Sequence, residues 1–375
     1  MRDSPIYLFA GGGTGGHLFP GVAVAQVLAE TVPGCRIIFA GSDREIEQLI
    51  ISQYGYEHRS VPIVSSAVLW RNPLSFVWST WRAYRRAIRQ LEHERPACVI
   101  GLGGYASVPV GMAASRLGIP LILLEQNVVA GRANCWLSRR ANFVCTSFPN
   151  TAGLAGGALR VNVTGNPVRR SIAELADEPA GRETTASGVL LVLGGSQGAR
   201  AVNEATVSVV ESLASPFTGW QIVHQTGERD CDMVRERYAA RGINHIVEPF
   251  FSDLTEWYRK ATLAISRAGA TTLAELACAG CPTVLVPFPN SVKDHQLHNA
   301  RLVESCGGAV VVEQSTGATS TADALSDVLK PLLADAPRRA QMATAMRTMA
   351  RPSAAQDVLD RMSDVLASTS GSPGS

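Results

Sequence analysis

SRAGATTLAELACAGCPTVLVPFPNSVKDHQLHNA, residues 266–300, holds two strand-to-helix loops in succession. The apolar run Thr262–Ile265 feeds a small-residue loop, Arg267 to Thr272, and then a short helical segment that carries Glu275. A second apolar run, Thr283–Val286, ends in a polar loop with Lys293, Asp294, His295 and Gln296. Polar residues gathered at successive strand ends predict an open parallel α/β sheet with its ligand crevice at the carboxyl edge. The backbone N–H groups of a helix N-terminus suit phosphate. A carboxylate one turn into that helix suits a pair of sugar hydroxyls. A nucleotide-sugar site would be built this way.

The same device opens each half of the chain. Ile6–Ala10 is an apolar run, followed by Gly11, Gly12, Gly13, Thr14, Gly15, Gly16 and His17, then by an apolar helical pattern over Val22–Leu28. Gly11, Gly13 and Gly16 satisfy GxGxxG, which by itself is a weak signal because glycine-rich first loops serve many ligands. Val189–Leu193 leads into Gly194, Gly195, Ser196, Gln197, Gly198 and Ala199, and a helical pattern begins near Val202. Further strand-like runs fall at Arg36–Ala40, Cys98–Leu102, Leu121–Leu124, Asn142–Thr146, Val161–Val163, Gln221–His224, His245–Val247 and Ala309–Val312. Cys98–Leu102 is followed by a second glycine loop with Gly103, Gly104, Tyr105 and Ser107, and Leu121–Leu124 by Glu125, Gln126 and Asn127. Two strand–glycine loop–helix units in 375 residues predict two Rossmann-like domains, residues 1–166 and 167–345, facing each other across a cleft. Residues 177–188 read as a surface loop, about 335–366 as helical, and 367–375 (ASTSGSPGS) as a disordered tail.

Composition narrows the functional classes. Apolar residues make up 46% of the chain, enough for two buried cores, and 34 basic against 32 acidic residues leave a net charge of +2, so no global basic footprint for nucleic acid exists. The 8 cysteines are scattered; Cys98 and Cys145 sit in apolar runs as buried thiols do, and Cys278 and Cys281 form a CxxC without a second ligand pair. A reducing cytoplasm is expected. No apolar stretch approaches the roughly 18 residues that span a bilayer, and the first residues lack the pattern of a signal peptide.

Residues 58–91 stand apart. They contain six arginines and no Asp or Glu, interleaved with Leu69, Trp70, Leu74, Phe76, Trp78 and Trp81. A helix from about Leu74 places Trp78, Trp81 and Arg85 at three- and four-residue spacing, with Arg82 and Arg86 beside them. Aromatics rimmed by arginine suit an anionic membrane surface. The competing reading is a core helix with a solvated basic face.

Several groups can carry chemistry. His17 ends the first glycine loop and could deprotonate an attacking hydroxyl, or it could cap the following helix. Ser196, the Arg267–Thr272 loop and Arg169 could hold a diphosphate, where stabilising charge that develops on the leaving group gains most. Asp230 and Asp232 form a DxD, read as charge at a helix start ahead of Met233–Tyr238. His295 and His298 lack a third metal ligand and are read as substrate contacts. No metal and no cofactor is expected, and the absence of GxxxxGK[ST] excludes a P-loop NTPase.

GGGTGGH (11–17), GLGGYASVP (101–109), EQN (125–127), TGNPVR (164–169), GGSQGA (194–199), SRAGATTLAE (266–275) and DHQ…NA (294–300) resemble, in order and spacing, the MurG family. The resemblance covers all but the tail. It implies a GT-B glycosyltransferase fold whose C-terminal helix, about 346–366, returns to the first domain. It implies inverting transfer of N-acetylglucosamine from UDP-GlcNAc to the 4-hydroxyl of the muramoyl sugar of lipid I, giving lipid II in peptidoglycan synthesis. It implies donor contacts from Thr14, Gly15, Gly16, Asn127, Arg169, Ser196, Phe251, Ala270, Thr271, Thr272, Leu273, Ala274, Glu275 and Gln296. Within that set, Glu275 is expected on the ribose and Gln296 on the sugar. The loop of Gly103, Gly104, Tyr105 and Ser107 would face the acceptor diphosphate. The 68–89 patch would dock peripherally on the cytoplasmic face of the inner membrane, near the cell-wall and division machinery. Val108 and Phe251 depart from the residues usual in the family.

Three other classes compete. A dinucleotide-dependent oxidoreductase would use Gly11, Gly13 and Gly16 with Asp43 as its acid, and would leave Gly194–Ala199 and Glu275 without a task. A UDP-GlcNAc epimerase on the same fold would leave the basic aromatic patch idle. A membrane-surface binding protein would not need two polar loops aimed at one crevice.

Overall fold

The computed structural model describes residues 4–13, 15–62, 73–154, 160–178, 187–195, 198–213, 217–315 and 320–370. They form two compact units, Met1–Arg170 with Ser353–Ser375, and Ser171–Pro352.

In the first unit β1 (Ile6–Gly11), α1 (Gly15–Thr31), β2 (Arg36–Gly41), α2 (Glu45–Gln53), β3 (Glu57–Ser60), α3 (Pro73–Glu94), β4 (Cys98–Gly103), α4 (Ser107–Arg116), β5 (Leu121–Glu125), α5 (Arg132–Leu137), β6 (Phe143–Thr146) and β7 (Arg160–Val163) alternate. The seven strands are all parallel, in the order β3-β2-β1-β4-β5-β6-β7. The strand order reverses between β1 and β4, and ligands of open α/β sheets bind outside the carboxyl ends at such a point. β4 and β5 are buried along their whole length, as continuous apolar runs covered on both faces must be. Phe9 of β1 stacks on Phe39 of β2 with ring centroids 4.9 Å apart.

The second unit begins with α6 (Arg170–Ala173, its first residue still in unit one), then β8 (Val189–Leu193), α7 (Arg200–Ser212), β9 (Gln221–Gln225), α8 (Cys231–Ala240), β10 (His245–Glu248) and α9 (Thr255–Lys260). It continues with β11 (Ala261–Ser266), α10 (Ala270–Ala279), β12 (Thr283–Leu285), α11 (His295–Ser305), β13 (Ala309–Val311), α12 (Thr321–Ala334) and α13 (Ala336–Thr348). Its six parallel strands run β10-β9-β8-β11-β12-β13, reversing between β8 and β11. The last helix, α14 (Ala354–Ser370), packs on α1, with Val358, Leu359 and Met362 inside the core of the first unit.

The structure departs from the sequence reading in four places. β3, Glu57–Ser60, carries no apolar residue, so periodicity misses it; it is an edge strand whose Glu57 pairs with Arg36 and Arg59. The C-terminal helical pattern is two helices, because Pro352 removes an amide donor and sets a boundary before α14. That helix reaches Ser370, so a disordered tail from 367 is corrected: Ala, Ser and Thr cost a helix well under 1 kcal/mol each, and the first strong breaker is Gly371. The division of units falls after Arg170 rather than after Asn166, since Arg169 lies over the Phe19 ring at 4.6 Å and Arg170 pairs with Glu30 at 2.8 Å. Most of the 177–188 loop, with the far end of the chain, lies outside the described residues.

Candidate functional site

At the switch point of the first sheet the two glycine loops meet backbone to backbone. A Cβ on Gly11 would stand 2.3 Å from the Gly103 carbonyl oxygen, and one on Gly104 2.6 Å from the Gly12 carbonyl oxygen. Gly11, Gly12, Gly13, Gly103 and Gly104 all have positive φ, so both sterics and backbone conformation demand glycine there. His17, in the first turn of α1, lies with its ring against Gly103; a Cβ there would be 3.1 Å from His17 Cδ2. Gly15 rests on Phe19, over whose ring the buried Arg169 guanidinium lies. Tyr105 is half-buried, whereas Ser107 is fully buried and its hydroxyl donates to the Gly104 carbonyl at 2.7 Å, closing its own loop.

Two buried carboxylates to which the sequence reading gives no individual role hold these loops. Glu125, at the end of β5, accepts from Asn127 N (3.0 Å), Asn127 Nδ2 (3.2 Å), Gly131 N (3.0 Å) and Asn134 Nδ2 (2.9 Å). It thereby fixes the loop that carries Asn127. Glu47, in the first turn of α2, accepts from Gly13 N (2.6 Å), Ser42 N (2.9 Å) and Ser42 Oγ. Glu125 has a sequence signal, an acid directly behind four apolar residues. Glu47 has none, because its helix looks like a solvated one.

In the second unit the corresponding reversal lies between β8 and β11, which are followed by Gly194 and Gly195 and by Arg267–Gly269. α10 starts after an extended Gly269 and ends on Gly280 in the left-handed region. Along its first turns Ala270, Thr271, Leu273 and Glu275 are buried, while Thr272 and Ala274 are partly open. Glu275 is 5% exposed and its Oε2 accepts from Tyr258 Oη at 2.8 Å. Tyr258, which the sequence reading does not name, is fully buried in α9 and sets the orientation of the carboxylate.

The Arg267 guanidinium is bonded within the unit. Its guanidinium donates to the carbonyls of Val286 (3.0 Å) and Pro287 (3.1 Å) and to Gln314 Oε1 (2.9 Å), and it lies over the Phe288 ring. Burial lowers its pKa to about 10, which leaves it cationic at neutral pH. Arg267 therefore braces the loop after β12. Gln296 belongs to the same loop system, its Oε1 accepting from Phe288 N at 2.9 Å. Phe251 donates its N–H to Gln225 Oε1 at 3.1 Å and tilts its ring against Trp257. Lys293 and Asp294 adopt left-handed backbone just before α11, a conformation that costs non-glycine residues of order 1 kcal/mol or more each.

The DxD separates into two unrelated carboxylates. Asp230 Oδ2 accepts from Asn203 Nδ2 at 2.8 Å, and Asp232 pairs with Arg235 across the exposed face of α8. Among the described residues no group of three or more His, Cys, Asp or Glu side chains is placed to hold a metal ion. Cys278 and Cys281 are buried free thiols.

On α3 the stripe Ala83, Ala87 and Leu91 is buried against the sheet, and Leu74, Val77, Trp78 and Trp81 are exposed. Arg82 lies over the Trp78 ring at 4.7 Å and Arg85 over Trp81 at 5.4 Å, and Arg82, Arg85 and Arg86 are exposed. The core reading of this helix holds for its inner stripe only. Thr14, Ser196, Leu69, Trp70 and the side chain of Phe76 lie outside the described residues. No helix among the described residues is long and apolar enough to cross a membrane.

Two parallel sheets, each with a glycine loop at its switch point and one with a buried glutamate a turn into the adjoining helix, define a glycosyltransferase of the GT-B kind. The glycosyltransferase family 28 N-terminal domain matches residues 7–146 and the C-terminal domain residues 189–358. A transferase of Hahella chejuensis, named UDP-N-acetylglucosamine--N-acetylmuramyl-(pentapeptide) pyrophosphoryl-undecaprenol N-acetylglucosamine transferase, is 37% identical over 94% of this chain and 96% of its own. The crystal structure of Acinetobacter baumannii MurG is 32% identical, with a TM-score of 0.73 over 96% of this chain and 99% of that one. A putative UDP-N-acetylglucosamine 2-epimerase from Listeria monocytogenes superposes with a TM-score of 0.67 over 97% of this chain and 98% of its own at 15% identity, which shows a shared fold alone. The chain belongs to the MurG family of glycosyltransferase family 28.

Proposed function

We propose that this chain transfers N-acetylglucosamine from UDP-GlcNAc to the 4-hydroxyl of the muramoyl sugar of undecaprenyl-diphospho-muramoylpentapeptide, giving lipid II. The observation that carries the reading is Glu275, buried, held by Tyr258 and placed one turn into the helix that opens at the switch point of the second sheet. A fixed carboxylate there suits paired ribose hydroxyls, and the start of α10 suits the diphosphate. In the transfer the acceptor oxygen bonds to the anomeric carbon from the side opposite the diphosphate. The carbon–oxygen bond to UDP breaks with its electron pair leaving on UDP, and the anomeric centre inverts. His17 takes the hydroxyl proton in this reading. The first unit serves the acceptor and the membrane and adds donor contacts from Gly15, Gly16, Asn127 and Arg169, and the second holds the UDP.

We place the enzyme peripherally on the cytoplasmic leaflet. Residues 58–173 hold 14 arginines against three acidic residues, although the whole chain is only +2. Together with the exposed Trp78 and Trp81 on α3, that asymmetry supports an anionic surface as partner. Cell-wall and division machinery are partners this location would bring near.

The test is incubation with isotopically labelled UDP-GlcNAc and a lipid I analogue in detergent, with mass analysis of the lipid product. An acceptor-dependent gain of one N-acetylhexosamine is expected. Conversion of the donor sugar without transfer would favour the epimerase reading.

A further inference from the structure

The first glycine loop is tied from behind by a carboxylate that the transfer chemistry does not use. Glu47 is 0% exposed and accepts from Gly13 N, Ser42 N and Ser42 Oγ. The fit leaves no room for side chains: a Cβ on Gly12 would stand 2.5 Å from Glu47 Oε2, and one on Gly41 2.3 Å from it. The carbonyl of Gly13 is held from the same side by Arg44 Nη1 at 2.5 Å. Both polar groups of the Gly13 backbone are therefore committed to the segment that joins β2 to α2. A buried carboxylate is retained only where hydrogen bonds satisfy it, so these bonds hold Gly13 to the segment between β2 and α2.

Two consequences follow for the ligand. The Gly13 N–H is spent on an anion inside the protein and cannot donate to a diphosphate, which removes a donor that the dinucleotide-binding device requires. Gly12 carries the second glycine loop through its contact with Gly104, and Gly103 of that loop abuts the His17 ring. Glu47, the two loops and His17 form one continuous stack within the first unit.

We propose that Glu47 is a positioning residue for the acceptor side of the reaction: it sets both glycine loops, and through them the placement of His17. The inference rests on the transferase reading above. It predicts that loosening the clamp lowers turnover and acceptor use while binding of UDP alone, assigned above to the other unit, is untouched.

The experiment compares wild type, Glu47→Gln and Arg44→Ala for transfer to a lipid I analogue, for the KM of each substrate and for UDP binding by calorimetry. Glu47→Gln keeps the shape but opposes an N–H to an N–H. It is expected to lower kcat/KM for the acceptor by about 10- to 100-fold, the scale of one lost charge-assisted hydrogen bond. UDP affinity should stay within about twofold. Arg44 is exposed, so Arg44→Ala leaves folding intact and should show the same split at about 3- to 10-fold. Glu47→Gln with wild-type kinetics would overturn the inference, as would equal losses of transfer and UDP affinity. If Glu47→Gln does not fold, a silent Arg44→Ala overturns it. A wild type that makes no lipid product instead overturns the transferase reading itself.

Discussion

The hydroxyl of Tyr258 donates to Oε2 of Glu275 at 2.8 Å, joining α9 to α10 across the buried face of the second unit. Neither residue touches solvent appreciably, so the bond is not exchanged for one to water. It fixes the plane of the carboxylate before any ligand arrives. Tyr258→Phe removes only the donor and leaves an isosteric ring. A net hydrogen bond of about 1–1.5 kcal/mol corresponds to a rise of roughly 5- to 10-fold in donor KM, with kcat nearly unchanged, because ribose binding is equally strong in ground and transition states. Steady-state kinetics at saturating acceptor checks this, and an unchanged donor KM would detach Glu275 from the ribose.

A second buried network predicts a pH dependence of stability. His224 is fully buried, with Nδ1 3.1 Å from Tyr238 Oη and Nε2 3.1 Å from Asn203 Oδ1. Asn203 Nδ2 donates to Thr226 O and Asp230 Oδ2, so its Oδ1 must accept, and the Tyr238 hydroxyl donates to Nδ1. This arrangement fits neutral imidazole, and burial lowers the His224 pKa from 6.5 to about 3. The unfolded chain takes up a proton that the folded chain refuses. Stability from this group is thus complete above about pH 6.5 and is lost as pH falls towards 3, by about 1.4 kcal/mol per unit. Between pH 6.5 and 5, urea unfolding of wild type should therefore lose about 2 kcal/mol more than that of His224→Gln. Parallel curves would contradict the assignment.

Membrane docking by α3 makes a prediction that separates it from catalysis. Arginines near an anionic surface contribute about 1 kcal/mol each, so Arg82→Gln with Arg85→Gln should weaken partition onto anionic vesicles by roughly 30-fold. Trp78→Ala with Trp81→Ala should weaken it also in high salt, since apolar burial is not screened. Both double variants should retain turnover on a short-chain, water-soluble acceptor. Loss of turnover there, or unchanged vesicle binding, would reject the docking role.

How much of this was legible depends on which force fixed each residue. Glycine loops, apolar strands and the aromatic-arginine helix are written in composition at short range; the strand orders are not, and β3 lacks even an apolar run. Glu275 is legible as an acid one turn behind a small-residue loop. Its partner Tyr258 is not, because a tyrosine among Trp257, Arg259 and Lys260 reads as surface until α9 is packed. Arg267 shows the opposite limit. Its place in the loop suggests phosphate, yet the carbonyls of Val286 and Pro287, brought near by the parallel pairing of β11 and β12, take its donors. Ser107 is similar: its hydroxyl donates to the Gly104 carbonyl of its own loop. Glu47 is invisible to periodicity because only tertiary packing converts an acid in a polar helix turn into a buried clamp.

The most direct measurement is release of UDP from UDP-GlcNAc, with and without a lipid I analogue in detergent, for wild type, Glu275→Ala and His17→Ala. Wild type should release UDP only when acceptor is present. Glu275→Ala should raise donor KM by an order of magnitude or more, as expected from losing about 1.5–3 kcal/mol of charged hydrogen bonding. His17→Ala should lose turnover by about 10²-fold or more with donor KM little changed. Release of UDP from wild type without acceptor, or none with it, would contradict the transferase account.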